Sequence, residues 1–264
     1  MIDNYMHTER NIFYIVDNVL GPTEQSIDFE KLSNDFYSQL TDHCSCDNSC
    51  LFPVCKCIVR SHNEIFSTIK NDESKHDILN AIGKSIPIFE CSDNCLCSNN
   101  CNNRVVQKGP IDCLEIKPCN KGLGLFTRRF IHKGTFICTY SGELITKSQA
   151  DARHEQNLSN NKMNYIFCLK EHCNDNIVET FVDPSIFGNI GRYMNHSCDP
   201  NGLIVPVRYD CPIPKLAIFA MNDVLPGDEL TFNYGCDNSD LQLVNRVLCL
   251  CGSKKCSGFL PFYK

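Results

Sequence analysis

Nine cysteines fall in two bursts before residue 102: Cys44, Cys46, Cys50, Cys55 and Cys57, then Cys91, Cys95, Cys97 and Cys101. A single residue separates Cys44 from Cys46, Cys55 from Cys57 and Cys95 from Cys97, so neighbouring sulfurs lie too close to pair separately with distant partners. An all-disulfide scheme leaves one thiol over, whereas three zinc ions bridged by shared thiolates use all nine at tetrahedral geometry. A third burst, Cys249, Cys251 and Cys256, supplies only three ligands. A closed structural zinc site needs a fourth, and Cys198 in RYMNHSCDPN is the best candidate. Four zinc ions are therefore expected, three early in the chain and one late. The other cysteines, Cys113, Cys119, Cys138, Cys168, Cys173, Cys211 and Cys236, read mostly as buried small hydrophobes, Cys138 and Cys168 especially because they sit in strand patterns.

Other residues offer chemistry with less specificity. Gly122 and Gly124, after Lys121, let a backbone approach a cofactor closely, or simply turn the chain into a strand. His196 alone reads as a structural histidine more readily than as a base. Tyr140, Phe232 and Tyr234 lie in strand patterns, where aromatics ordinarily pack a core.

Positioning falls to short elements. Residues 12–19 (IFYIVDNV) read as a strand stopped by Leu20, Gly21 and Pro22. Phe29, Leu32, Phe36 and Leu40 recur at helical spacing, with Ser26 or Asp28 as N-cap. The polar stretch between Cys57 and Cys91 reads as a solvated insertion between two halves of one metal site. From residue 111, apolar runs at 111–116, 135–140, 164–169, 177–182, 202–207, 215–220 and 229–234 predict strands of several small sheets. Residues 147–156 (KSQADARHEQ) predict a helix among them. The fold class is mostly β with short helices, α+β, with metal-stapled segments at both ends.

The composition, 42% apolar and 21% charged over 264 residues, is globular. The amino terminus carries no apolar run behind a basic segment, and no stretch reaches eighteen apolar residues, so neither a secretory leader nor a membrane span is expected. Twenty cysteines in a reducing compartment point to metal ligation or buried thiols, against a secreted disulfide-rich domain. A net charge of −6 argues against binding nucleic acid by phosphate neutralisation. Thirteen thiolates with four divalent ions would make the chain about five units more acidic still. Such a charge attracts a basic peptide at long range, or merely keeps the protein soluble.

In order along the chain, CSNNCNNRVVQKG, KGLGLFTRRFIHKGTFICTYSGELI, GNIGRYMNHSCDPN, DELTFNYG and LCLCGSKKCSGFLPF resemble the pre-SET, SET and post-SET regions of SET-domain histone-lysine methyltransferases of the suppressor-of-variegation-related class. The resemblance runs from residue 12 to the end, and five motifs in order are far more specific than any one. It implies the SET-domain β-clip fold, small sheets flanked by zinc-stabilised pre-SET and post-SET segments. The boundaries it suggests are an N-terminal strand and helix segment at 1–40, pre-SET at 41–105, SET at 106–237 and post-SET at 238–264. No transposase segment follows, as it does in some similar proteins, which suggests a free-standing module.

The resemblance also implies an S-adenosylmethionine-dependent protein-lysine methyltransferase. The cofactor pocket would be lined by Lys121, Gly122, Leu123, Gly124, Tyr165, Arg192, Asn195 and His196, the last through its backbone. The late zinc site would fold Phe259, Leu260 and Phe262 near cofactor and substrate. Methyl transfer needs a neutral amine although the lysine reference pKa is about 10.4. Desolvation and an adjacent sulfonium favour losing that proton, so no carboxylate base is required. What is required is a narrow apolar channel with polar oxygens around the amine and methyl, and Tyr140, Phe232 and Tyr234 match the residues that build it. Tyr234 would orient the amine. Phe232 matches a phenylalanine/tyrosine switch, and its phenylalanine implies di- or trimethylation. The implied partner is the histone H3 tail, bound as an added strand, alone or on a nucleosome, with lysine nine ahead of lysine thirty-six and a location in the nucleus on chromosomes. A catalytically inactive zinc-stabilised chromatin-binding module and a methyltransferase for non-histone lysines remain as alternatives.

Overall fold

The computed structural model describes residues 3–7, 9–47, 50–61, 87–173, 176–235 and 247–261. The strands, in chain order, are β1 (Phe13–Tyr14), β2 (Val19–Leu20), β3 (Ile88–Phe89), β4 (Leu114–Cys119), β5 (Gly122–Thr127), β6 (Phe136–Tyr140), β7 (Glu143–Ile145), β8 (Phe167–Cys173), β9 (Asn176–Asp183), β10 (Phe187–Gly188), β11 (Asn195–His196), β12 (Gly202–Arg208), β13 (Lys215–Ala220) and β14 (Glu229–Phe232). The α-helices among the described residues are α1 (Ile27–Tyr37), α2 (Lys56–Arg60) and α3 (Lys147–Ser159).

Strands β6 and β13 are buried at every position, so they carry near-continuous apolar runs instead of the alternation of a half-exposed strand. They pair antiparallel in a sheet of order β3-β12-β13-β6. Two further four-stranded sheets, β11-β14-β5-β4 and β2-β7-β9-β8, and the pair β1-β10 complete the small-sheet architecture. Leu125, Ile137, Leu144, Ile190, Met194, Leu216, Ile218 and Phe232 are all but inaccessible to solvent in the core that joins them. Each such side chain contributes about 1.5–3 kcal/mol through burial.

One packing detail places the site. A 3₁₀ turn at Ile190–Tyr193 lies against β6, where a Cβ on Gly191 would stand 2.2 Å from the Thr139 carbonyl oxygen. Only glycine fits there. The Asn189 amide donates to Thr139 O at 2.9 Å and its oxygen accepts the Gly191 N–H at 3.1 Å. This clamp delivers the chain into β11, which pairs parallel with β14 so that His196 lies opposite Phe232.

Helix α1 starts as expected, with Ser26 Oγ accepting the Phe29 N–H at 3.1 Å. It ends at Tyr37, short of Leu40, whose N–H is taken by Asp210 O at 2.8 Å. Helix α3 carries a Thr146/Gln149 capping box and runs three residues beyond the expected 156. The single strand expected at 12–19 is two short strands that pair with different neighbours, β1 with β10 and β2 with β7. Asp17 and Asn18 break it: Asp17 holds Lys215 Nζ at 2.5 Å, and Asn18 Oδ1 accepts the Gly142 N–H at 3.0 Å. The strand expected at 111–116 is displaced to β4, and that at 164–169 to β8. Strands β3, β5, β7, β10 and β11 and helix α2 were not anticipated, because glycines or only two to five residues define them. The last expected strand, 229–234, stops at Phe232 because the Tyr234 N–H leaves the ladder for the His196 ring. Of the stretch between Cys57 and Cys91, residues 62–86 lie outside the described residues, and its described ends are not solvated as expected, because Ile58 and Ile88 are buried and β3 pairs parallel with β12.

Candidate active site and metal centres

In the early cluster Cys46 is partly exposed and the other eight cysteines are buried. Cys44 Sγ lies 3.6 Å from Cys50 and 3.9 Å from Cys91, Cys50 lies 3.6 Å from Cys91, and Cys57 lies 3.6 Å from Cys95. A zinc–sulfur bond of about 2.3 Å sets a tetrahedron edge of about 3.8 Å, whereas a disulfide needs about 2.05 Å. The spacing therefore suits thiolates around shared ions. Three overlapping sets have all their sulfurs within 4.8 Å of one another: Cys44/Cys50/Cys91/Cys97, Cys44/Cys55/Cys57/Cys91 and Cys44/Cys46/Cys50/Cys55. Cys44, Cys50, Cys55 and Cys91 recur between sets, so thiolates shared between ions are within reach. Cys95 and Cys101 pack into the same cluster. Asn103 donates to Cys91 Sγ at 3.4 Å and Arg104 to Cys97 Sγ at 3.8 Å, feeding hydrogen bonds and one positive charge to the sulfurs.

The late site brings Cys198, Cys249, Cys251 and Cys256 within the same 4.8 Å limit, so the cysteine on the Asn195–His196 turn meets the C-terminal three. Their segment is docked onto the sheets at several points. Lys255 pairs with Asp199 at 2.8 Å and the Asn120 amide donates to Leu250 O at 3.3 Å, while within the segment Leu248 bridges Phe259. Pro261 comes within 3.9 Å of where a Cβ on Gly235 would lie, beside Tyr234. Phe259 and Leu260 are thus half-buried in a strap that reaches the aromatic site; Phe262 lies outside the described residues.

That site is a nest of rings. Tyr140 and Phe232 are buried, with centroids 5.5 Å apart, and Tyr234 stands 4.9 Å from Phe232. Phe167, unremarked in the sequence because its run reads as ordinary strand, closes the group at 5.9 Å from Phe232 and 6.2 Å from Tyr140. The Tyr140 hydroxyl donates to Tyr165 O at 2.6 Å and the Tyr234 hydroxyl to Met194 O at 3.0 Å. Burial pushes both phenols above the ordinary tyrosine range, so both stay protonated.

Around it stand the remaining candidates. Asn195 Nδ2 donates to Leu123 O at 3.0 Å and to Glu229 Oε1 at 2.9 Å, and Lys121 Nζ pairs with Glu229 Oε2 at 2.6 Å. Glu229, the acid of DELTFNY, ties these residues together and was missed in the sequence, where it reads as a strand-edge charge. The two glycines differ in what they permit. Gly122 sits at φ +100° with nothing within 4 Å of an added Cβ, as open as a cofactor cradle requires. At Gly124 a Cβ would meet Glu229 Oε1 at 2.9 Å and Asn195 Nδ2 at 3.2 Å. Its lack of a side chain leaves room for that carboxylate–amide contact. Arg192 is buried, its guanidinium 4.5 Å from the Tyr165 ring centre, donating from Nε to Pro184 O at 3.0 Å and paired with Glu9 at 3.0 Å. Among the remaining cysteines, Cys113 and Cys138 are buried, but Cys119, Cys168 and Cys211 are only half-buried. Cys168 lies on β8, the edge strand of its sheet, which leaves one flank uncovered. The Cys173 side chain and Cys236 lie outside the described residues.

A family model for the SET domain matches residues 122–235 and one for the Pre-SET motif matches residues 2–104. The histone-lysine N-methyltransferase SETMAR of Rattus norvegicus is 36% identical over 262 residues, covering 94% of this chain and 79% of the relative. The chain belongs to the SET-domain histone-lysine methyltransferase family. SETMAR of Homo sapiens is 39% identical over 263 residues, but these cover 94% of this chain and only 36% of that longer protein. The solved methyltransferase domain of human SETMAR matches with a TM-score of 0.76 at 34% identity, covering 99% of this chain and 93% of the other. SUVH6 of Arabidopsis thaliana, solved in complex with SAM, matches with a TM-score of 0.70 at 26% identity, covering 98% of this chain and 52% of the other. Within the SET match lie every ring of the nest and all the cofactor candidates except Lys121 and Phe259.

Proposed function

We propose that this SET protein transfers methyl groups from S-adenosylmethionine to a lysine of the histone H3 tail, lysine nine ahead of thirty-six, with a di- or trimethyl product. The observation that carries the reading is the ring nest of Tyr140, Phe167, Phe232 and Tyr234, with both phenol protons committed to carbonyl oxygens. A phenol whose proton is donated elsewhere presents only lone pairs to a substrate. Two such oxygens among apolar rings would accept the N–H of a lysine amine and face the positive charge that develops on a transferring methyl. Burial keeps both tyrosines neutral, so they act as oriented dipoles, and the amine loses its proton through desolvation.

S-adenosylmethionine supplies the methyl group on a sulfonium. Lys121, Gly122, Leu123, Gly124, Tyr165, Arg192, Asn195, His196 and Phe259 are the residues proposed to hold it, with Glu229 fixing Lys121 and Asn195. A similar protein solved in complex with SAM supports the choice of cofactor. The thirteen cysteines of the two clusters are proposed to hold zinc, three ions early and one late, the latter keeping the C-terminal strap over the site. We divide the chain into an N-terminal segment (1–40), pre-SET (41–105), SET (106–237) and post-SET (238–264). Phe232 has no hydroxyl to anchor a water in the space a second or third methyl needs, which supports the higher product states. A histone substrate, alone or in the nucleosome, puts the protein on chromosomes in the nucleus. The test is methylation of H3 peptides carrying either lysine nine or lysine thirty-six, read by mass spectrometry. The reading predicts successive methylation of the lysine-nine peptide; equal inactivity on both peptides and on intact histones would overturn it.

A further inference from the structure

His196 stands between the aromatic site and the late metal site. Its Nδ1 lies 3.2 Å from the Tyr234 backbone nitrogen and its Nε2 lies 3.3 Å from Cys198 Sγ. A backbone N–H can only donate, so Nδ1 must accept, and the proton of the neutral ring is then on Nε2, directed at the sulfur. A metal-bound thiolate is an acceptor for such a proton. The same sulfur receives the Ser257 N–H at 3.5 Å. His196 is buried, 3% exposed, which keeps bulk water from competing for its ring nitrogens.

We propose that His196 is a positioning residue that couples the Cys198/Cys249/Cys251/Cys256 metal site to Tyr234, donating Nε2–H to the Cys198 thiolate while Nδ1 accepts the Tyr234 N–H. The inference rests on the methyltransferase reading and adds a route to it. A thiolate at Cys198 fixes the tautomer of the ring, and the tautomer fixes the backbone of Tyr234. With its hydroxyl on Met194 O, Tyr234 is then held at both ends. Occupancy of the late metal site is thereby transmitted to the oxygen that orients the amine through the ring as well as through the strap that carries Cys249, Cys251 and Cys256.

The direct test is nitrogen-labelled NMR of the intact protein with cadmium in its metal sites. The expected result is a His196 ring protonated at Nε2, with scalar coupling between that proton and the cadmium on Cys198. A ring protonated at Nδ1 would overturn the proposal. Two variants separate the arms. His196→Asn keeps an acceptor near Nδ1 and loses the donor to sulfur, so it should release the late ion to a chelator roughly 10–100-fold faster while the early cluster retains its metal. His196→Gln keeps the donor and loses the acceptor, so it should release metal at the unaltered rate with a lower kcat. Release from His196→Asn at the unaltered rate would also overturn the link. A protein with the expected tautomer and coupling that methylates nothing would instead overturn the methyltransferase reading and leave the link standing.

Discussion

Tyr234 and Phe232 are two residues apart and do different work. Tyr234 is fixed through its N–H and its hydroxyl, whereas Phe232 is pure ring, 1% exposed and wedged among Tyr140, Phe167 and Tyr234. Phe232→Tyr should therefore leave the first methyl transfer nearly intact and cut the second and third, which the ratio of mono- to trimethyl peptide measures directly. An unaltered ratio would remove Phe232 as a determinant of product. The buried phenols also give a pH prediction. Burial raises Tyr14, Tyr140, Tyr209 and Tyr234 above the ordinary value, so the folded state holds these protons more tightly than the unfolded state does. Their contribution to stability is whole below about pH 10 and falls as the pH rises beyond it. In an alkaline titration these phenols should ionise together with unfolding; reversible ionisation near pH 10 in the folded protein would contradict their burial.

At the scale of elements, the C-terminal strap is where the proposed late metal would act on the site. Cys256→Ser should lose one ion per chain, keep the early cluster, and lower both cofactor affinity and turnover; full affinity and turnover in that variant would refute the coupling. The strap also marks where the sequence was legible. The grouping of Cys198 with Cys249, Cys251 and Cys256 could be read because a tetrahedral ion wants four thiolates and the C-terminal burst has three. The long apolar runs at β12 and β13 were equally plain. Two-residue strands such as β11 were not, because their pairing is set by packing of the 3₁₀ turn on β6, at Gly191 and Asn189, and no periodicity exists over two residues. Glu229 and Phe167 were missed for a related reason. Each looks ordinary in its own strand, and only the meeting of β14 with β5, and of β8 with the core, gives it a role. The break in the 12–19 run depended on Lys215 and Gly142, far away in the chain.

At the scale of the molecule, two thiolate clusters stand at the ends of a chain whose sheets are small and individually weak. Metal held on thiolates that are scattered in the unfolded chain is folding free energy, and the chain is acidic overall, at −6 before metal is counted. A basic substrate tail should accordingly be captured partly at long range. Its KM should rise with ionic strength as the screening length contracts below about 10 Å at 0.1 M salt, while kcat changes little. A KM independent of salt would place recognition entirely in short-range contacts. The central claim is that this chain methylates a histone lysine with Tyr234 at the reacting amine. Its most direct test is mass spectrometry of recombinant histone octamers incubated with the zinc-loaded protein and S-adenosylmethionine, beside a Tyr234→Phe control. The expected result is di- or trimethylation of one H3 lysine, falling roughly 10²-fold or more in the control. Methylation that survives the substitution undiminished, or no methylated lysine despite measurable cofactor binding, would contradict it.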